Sequence, residues 1–344
     1  MSTQDEIQKE LLSKVPKNLS GLFYVAPRVG KTRMAFQLID RDEYTNVLWV
    51  TPSKLLVDKG LKEEAAACDF DFSKLTTSTY ASLHKVKGSF DLILLDEVHH
   101  VTYRNTVNLF SGDLAYKTII GMSGTKTRDK DKREIFHSLK LYPFVDYDIK
   151  AAKEDKIISD YDIEVINVDL DTQKNLKVEF QKSFFYTSEK LSYKAYTKKM
   201  KEASNTQQKI RYALLRKRVI ANAANKFVCI PELIEGRTLI FVSTQKQAES
   251  LNYFYHSTSG DKWLKAFEEK KIPFLALVSK GGTGYTFYEI DTVIITQADS
   301  DNNGQVVQKI MRGMLKDVKH LKIKILCAKD TQDEVWVKKV LENF

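Results

Sequence analysis

The chain has 344 residues, 43% apolar and 29% charged, with 14 Gly and 6 Pro, which excludes a disordered or collagen-like chain and gives room for two cores. A net charge of +9 points to a polyanionic partner, either nucleic acid or an anionic membrane surface. No apolar run approaches the roughly 20 residues of a membrane span, and the opening "MSTQDEIQKELLSK" lacks a signal-peptide pattern, so the chain is expected to stay in the cytoplasm.

In chain order, "GLFYVA", "NVLWVTP", "KLTTSTY", "FDLILLDE" and "TIIGMSGT" read as buried strands with amphipathic helical stretches between them. That alternation predicts a parallel sheet covered by helices. Residues at the carboxyl ends of such strands collect along one edge, so "APRVGKT", "TPSK", "DEVHH" and "SGTKT" should meet there. After "LYPFVDYDIKAAKEDKIISD" a second series begins with "DYDIEVINVDL". A basic helical region at about 172–235 follows, then "RTLIFVST", "FLALVSKGGTG", "DTVIITQ" and "KIKILCAKD". The expectation is an α/β chain of two mainly parallel sheets, with domains at 1–152 and 153–344. Cys68, Cys229 and Cys327 stand alone in apolar settings and read as reduced core thiols.

The strand, "APRVGKT", helix order is the context of a phosphate-binding loop, in which backbone N–H groups wrap phosphates, lysine neutralises them and a hydroxyl binds Mg²⁺. Pro27, Arg28, Val29, Gly30, Lys31 and Thr32 form the candidate ATP site. The ordinary glycine pattern is incomplete, because Val25 holds its outer position and Arg28 an inner one. Asp96 and Glu97 close an apolar strand, where one carboxylate can hold Mg²⁺ and the next can orient an attacking water. An exposed acidic pair at a strand end is the alternative.

In order along the chain, "GKT", "DEVH", "SGT", "LIFVST", "GGTGYTF" and "QKIMRG" resemble the motifs of superfamily 2 helicases and translocases, over nearly the whole chain. "FDLILLDEVHH" and "TIIGMSGTKTRDKDK" look like the branch of phage recombination helicases, repair helicases and restriction-enzyme helicase subunits, while "SKGGTGYTF" leans toward chromatin-remodelling translocases. The resemblance implies two RecA-like domains with an ATP cleft between them and a nucleic-acid-dependent ATP hydrolase using ATP and Mg²⁺. It implies a monomeric phage or mobile-element protein at work in the host cytoplasm on single-stranded or branched nucleic acid, DNA before RNA.

By the same resemblance, Lys31 binds phosphate, Thr32 and Asp96 hold the metal, and Glu97 is the base. His99 couples the ATP site to Ser123, Gly124 and Thr125. Gln308 lies near the attacking water and Arg312 is the arginine finger, with Met311 replacing a usual glycine and Leu315 a common second arginine, for which Lys316 is a candidate substitute. Gly284 faces ATP. Thr51, Pro52, Ser53, Lys54, Thr79, Tyr80, Ser243, Thr244, Gly282 and Thr283 contact nucleic acid. Ordinary loops, helix caps and a glycine turn remain open for these last positions. A nucleotide-gated clamp with weak ATPase is the other reading that the incomplete motifs allow.

Overall fold

The structure is a computed structural model and describes residues 3–54, 56–180, 183–256, 258–278, 287–298, 305–314 and 320–344. The N-terminal portion runs α1 (Gln4–Ser13), β1 (Gly21–Val25), α2 (Lys31–Arg41), β2 (Val47–Thr51), α3 (Lys62–Ala67), β3 (Leu75–Thr79), α4 (Tyr80–Leu83), β4 (Gly88–Asp96), α5 (Val107–Ser111), β5 (Leu114–Ser123), α6 (Lys130–Ser138), β6 (Pro143–Tyr147) and α7 (Ile149–Glu154). Its six strands form one all-parallel sheet in the order β3-β2-β4-β5-β1-β6. β1, β2 and the second half of β4 are apolar on both faces because helices cover both sides of the sheet.

The chain continues through β7 (Asp160–Val168), β8 (Leu176–Phe180), β9 (Ser183–Thr187), α8 (Glu189–Glu202), α9 (Thr206–Ala221), α10 (Ala224–Val228), α11 (Ile230–Leu233), β10 (Thr238–Val242), α12 (Gln245–Glu249), β11 (Phe254–Tyr255), α13 (Lys262–Glu268), β12 (Phe274–Val278), β13 (Thr292–Ile295), α14 (Gln305–Met311), β14 (His320–Ala328) and α15 (Gln332–Leu341). A second all-parallel sheet has the order β11-β12-β10-β13-β14-β7. These are two mainly parallel α/β sheets of six strands each, the architecture of two RecA-like units.

Each strand read from the sequence is present. β6 falls in the stretch read as a join, where one proline and several charges mask the short apolar alternation of an edge strand. The region read as helical from about 172 opens instead with the antiparallel hairpin β8–β9. "LKVEF" alternates with a period of two and "SFFYT" is rich in aromatic and β-branched residues, which favours strands over helix. Helices α8 and α9 occupy the rest of the basic region, as expected.

One buried cluster runs from a face of the first sheet through Ile149, Ala152, Ile157 and Ile158 to a face of the second. Burying each such side chain stabilises by about 1.5–3 kcal/mol. Lys226 and Asp333 form a fully buried ion pair at 2.6 Å, and Lys226 also donates to the Thr296 carbonyl, fixing α10 to α15 and β13. No helix among the described residues is long and apolar enough to cross a membrane. Cys68, Cys229 and Cys327 are free thiols, and burial raises each above the ordinary thiol range.

Candidate nucleotide cleft

The loop from β1 to α2 is built by three neighbours. Val25 is the last residue of β1, paired beside Tyr147 and fully buried, so the outer glycine position here belongs to the core of the sheet. Gly30 caps α2 at φ 94°, and a Cβ there would lie 2.3 Å from Gln8 Nε2. Both observations require glycine. Gln8 Nε2 donates to the Val29 carbonyl at 2.7 Å, and Gln4 Nε2 donates to Val29 and Arg28 carbonyls at 3.2 and 3.3 Å. The Arg28 and Val29 carbonyls are therefore held by α1. The two glutamines escaped the sequence reading, although their i, i+4 spacing put them on one helix face.

Lys31 and Thr32 occupy the first turn of α2, with Lys31 Nζ 3.4 Å from the Val25 carbonyl. The loop after β5 lies directly against them. A Cβ on Gly124 would sit 2.8 Å from Pro27 and 3.4 Å from Lys31 Nζ, so only glycine lets "SGT" approach the phosphate loop this closely.

Asp96 ends β4 and Glu97 follows it in the left-handed region at φ 49°, an unfavourable conformation for a side-chain-bearing residue. Burial and the adjacent Glu97 carboxylate push Asp96 upward, with Lys31 opposing. The Tyr80 hydroxyl donates to the Asp96 carbonyl at 2.9 Å and holds the strand end from below. His99 Nδ1 lies 3.2 Å from Ser123 Oγ and 3.4 Å from Glu97 Oε2. Ser123 Oγ in turn donates to the Thr125 carbonyl. Burial, with Lys132 and Lys31 nearby, pushes His99 down to about 3, so the ring is neutral at ordinary pH.

The second sheet contributes α14 and the turn after it. Gln308 Nε2 donates to Glu97 Oε2 at 3.1 Å. Arg28 crosses in the other direction: its Nε donates to the Met311 carbonyl at 3.3 Å and its Nη2 to the Arg312 carbonyl at 3.4 Å. These carbonyls lie at the carboxyl end of α14, where a cation is favoured. Arg312 stacks its guanidinium over Phe241 at 5.9 Å and carries a buried Nη1 with no hydrogen-bond partner among the described residues. Burial and the neighbouring Arg28 push it down to about 10. Two half-buried guanidinium groups thus lie close together, an arrangement that an anion between them would relieve.

No family model matches the chain, and no curated protein matches it. Solved structures do match. The helicase domain of Hef from Pyrococcus furiosus superposes with a TM-score of 0.52 at 14% identity, covering 98% of this chain and 97% of that one. The ATP-dependent Type ISP restriction-modification enzyme LlaBIII, in a structure bound to DNA, superposes with a TM-score of 0.62 at 15% identity. It covers 100% of this chain, which spans 29% of that much longer one. The chain shares the fold of these two structures.

Within that fold, the remaining positions read from the sequence separate into two groups. Thr51 and Thr79 are buried, and Thr51 Oγ1 donates to the Ser53 carbonyl. Tyr80 is buried against Asp96, which turns it away from any strand lying on the surface. Pro52 and Ser53 are half-buried and Lys54 is exposed, so this loop offers a cation and a hydroxyl to the outside. Thr244 caps α12 with a reciprocal Gln247 contact, and Ser243 Oγ lies 3.4 Å from Gln297 Oε1. Gly282, Thr283, Gly284, Leu315 and Lys316 lie outside the described residues.

The donor set fits a divalent ion carried by a nucleotide. Among the described residues no group of three His, Cys, Asp or Glu could hold a metal by itself. Mg²⁺ is ordinarily bound through one or two carboxylates together with substrate phosphates, which is what Asp96 and Thr32 beside the phosphate loop offer.

Proposed function

We propose that the chain is a nucleic-acid-dependent ATPase that uses nucleotide-driven closure of two domains, 1–152 and 153–344, to move along a strand, most readily of DNA. The observation that carries this reading is the Gln308–Glu97 hydrogen bond, which joins the helix of one sheet to the acidic strand end of the other across the cleft.

In this reading Lys31 and the amides at the start of α2 receive the phosphates, and Thr32 with Asp96 holds Mg²⁺. The bound ion would screen charge on the phosphate oxygens. Glu97 accepts a proton from the attacking water, and its left-handed backbone with the His99 and Gln308 contacts fixes its carboxylate. Arg312, from the opposite domain, supplies positive charge to the terminal phosphate only when the cleft is closed. His99 and Ser123 connect Glu97 to the loop of Thr125 and pass nucleotide state toward the strand-binding side. Closure then positions the chemistry and supplies the mechanical step.

The test is an ATPase assay with single-stranded DNA, duplex DNA, forked DNA and RNA, using Lys31→Ala and Glu97→Gln as inactive controls. Stimulation by one of these polymers in the wild type alone supports the reading. No stimulation by any of them sinks it.

The Arg28 contacts favour a second reading, because they join the two domains through protein groups alone. In it the protein is a nucleotide-gated clamp on DNA with weak turnover. Tight ATP-dependent retention on DNA without measurable hydrolysis would select the clamp.

A further inference from the structure

The hairpin β8–β9 exposes the centre of β9. Phe184, Phe185 and Tyr186, three consecutive residues of β9, are 56%, 53% and 56% exposed. Because side chains alternate along a strand, Phe184 and Tyr186 share one face and Phe185 lies on the other. The ring pair Phe184–Tyr186 is edge-to-face at 5.8 Å, and Lys177, opposite Tyr186, sets its ammonium 4.5 Å from the Phe184 ring centroid. An isolated two-stranded hairpin is at best marginally stable in water. Three exposed aromatic rings on one such hairpin mark a binding element more readily than a scaffold.

The charge distribution identifies the partner. Residues 172–221 contain 13 Lys or Arg and 3 Asp or Glu, a net charge of +10 against +9 for the whole chain. The remaining 294 residues therefore carry a net charge of −1. Of the three acids, Glu189 is turned inward to accept from the Asp171 and Ala224 amides, and Glu202 is paired with Lys198. Where β9 ends, α8 begins a stripe of exposed Lys190, Lys194 and Lys198 at i, i+4 spacing. The structure thus gathers the chain's positive excess onto the hairpin and the helix pair that follows it.

We infer that the β8–β9 hairpin and the lysine stripe of α8 form a binding surface for single-stranded nucleic acid, distinct from the ATP cleft, with unpaired bases stacked on Phe184 and Tyr186 and the phosphates along Lys190 and Lys194. This rests on the nucleic-acid-dependent reading above and adds to it the surface and the strandedness. Ring faces are open to unpaired bases, whereas bases in a duplex are already stacked on each other.

The experiment is fluorescence-anisotropy binding of an oligodeoxythymidylate and of a blunt duplex to the full chain, beside ATPase assays. Phe184→Ala/Tyr186→Ala is expected to weaken single-strand binding about ten-fold or more, leave duplex binding less affected, and leave ATP hydrolysis without nucleic acid unchanged. Lys190→Glu/Lys194→Glu is expected to lower the salt dependence of binding by about two released ions. Circular dichroism of both variants checks that the fold is intact. Wild-type binding with unaltered affinity in both variants overturns the inference and leaves the ATPase reading standing. Failure of the wild type to bind or respond to any nucleic acid overturns both. A fall in oligomeric state with unchanged binding would assign the hairpin to self-association and overturn the inference as well.

Discussion

Gln308 and Glu97, 211 positions apart in the chain, meet in a 3.1 Å hydrogen bond that spans the two sheets. Glu97 is also within 3.4 Å of His99, so its carboxylate is positioned from both domains at once. Removing the acid itself, in Glu97→Gln, is expected to lower turnover about 10²–10⁴-fold. Gln308→Ala keeps the acid and loses its positioning, with an expected fall of about ten- to a hundred-fold in kcat and little change in KM for ATP. Steady-state kinetics with saturating nucleic acid reads both. An equal rise in KM with kcat unchanged would assign Gln308 to binding instead.

Arg28→Gly separates two opposed effects. Arg28 sits at φ 73°, a conformation that costs a side-chain-bearing residue roughly 1–3 kcal/mol, so glycine relieves the loop. The same change removes two charge-assisted hydrogen bonds to α14, each worth about 1.5–3 kcal/mol when the cleft is closed. The loss outweighs the relief, so a modest fall in thermal stability is expected together with a fall in turnover. Arg28→Ala keeps the strain, loses the tie, and is expected to be the less stable of the two by calorimetry.

Val25→Gly restores the usual outer glycine and is nevertheless expected to be destabilising. It empties a fully buried position in β1 and places glycine in a strand, at a cost of about 2–4 kcal/mol in urea denaturation. An unaltered midpoint would show that the sheet edge near Tyr147 collapses to fill the space.

Lys226→Met leaves Asp333 buried without its cation, and a loss of about 3–5 kcal/mol is expected. Lys226→Met/Asp333→Leu is expected to recover much of that loss in the same denaturation assay, because neither charge then remains to be desolvated.

Two groups beside the cleft act on acid stability in opposite directions. His99 is lowered by burial to about 3 in the folded state, so the unfolded chain binds the extra proton below about 6.5 and this contribution weakens folding as pH drops through that window. Asp96 is held above the ordinary carboxylate range by burial and Glu97, so its contribution strengthens folding over much of the same range. His99→Gln removes only the first, and its denaturation midpoint is expected to gain on that of the wild type from pH 7.5 to 4.5. An unchanged difference would place the titration elsewhere.

The sequence by itself determined the strands of both sheets except the edge strands β6 and β11, since continuous apolar runs bounded by turns have few other solutions. It also determined that Lys31, Asp96, Glu97 and Ser123 stand at strand or helix ends along one edge, because a parallel sheet places all its carboxyl ends there. What only the tertiary structure decided are contacts between groups far apart in the chain. Gln4 and Gln8 hold the phosphate loop, Arg28 leaves that loop for the carbonyls of Met311 and Arg312, and Tyr80 supports Asp96 from the interior. Polar partnerships of this kind carry no periodicity. They depend on where two sheets come to rest against each other, and that is set by the buried cluster through Ile149 and Ile157, which no local pattern in the sequence describes.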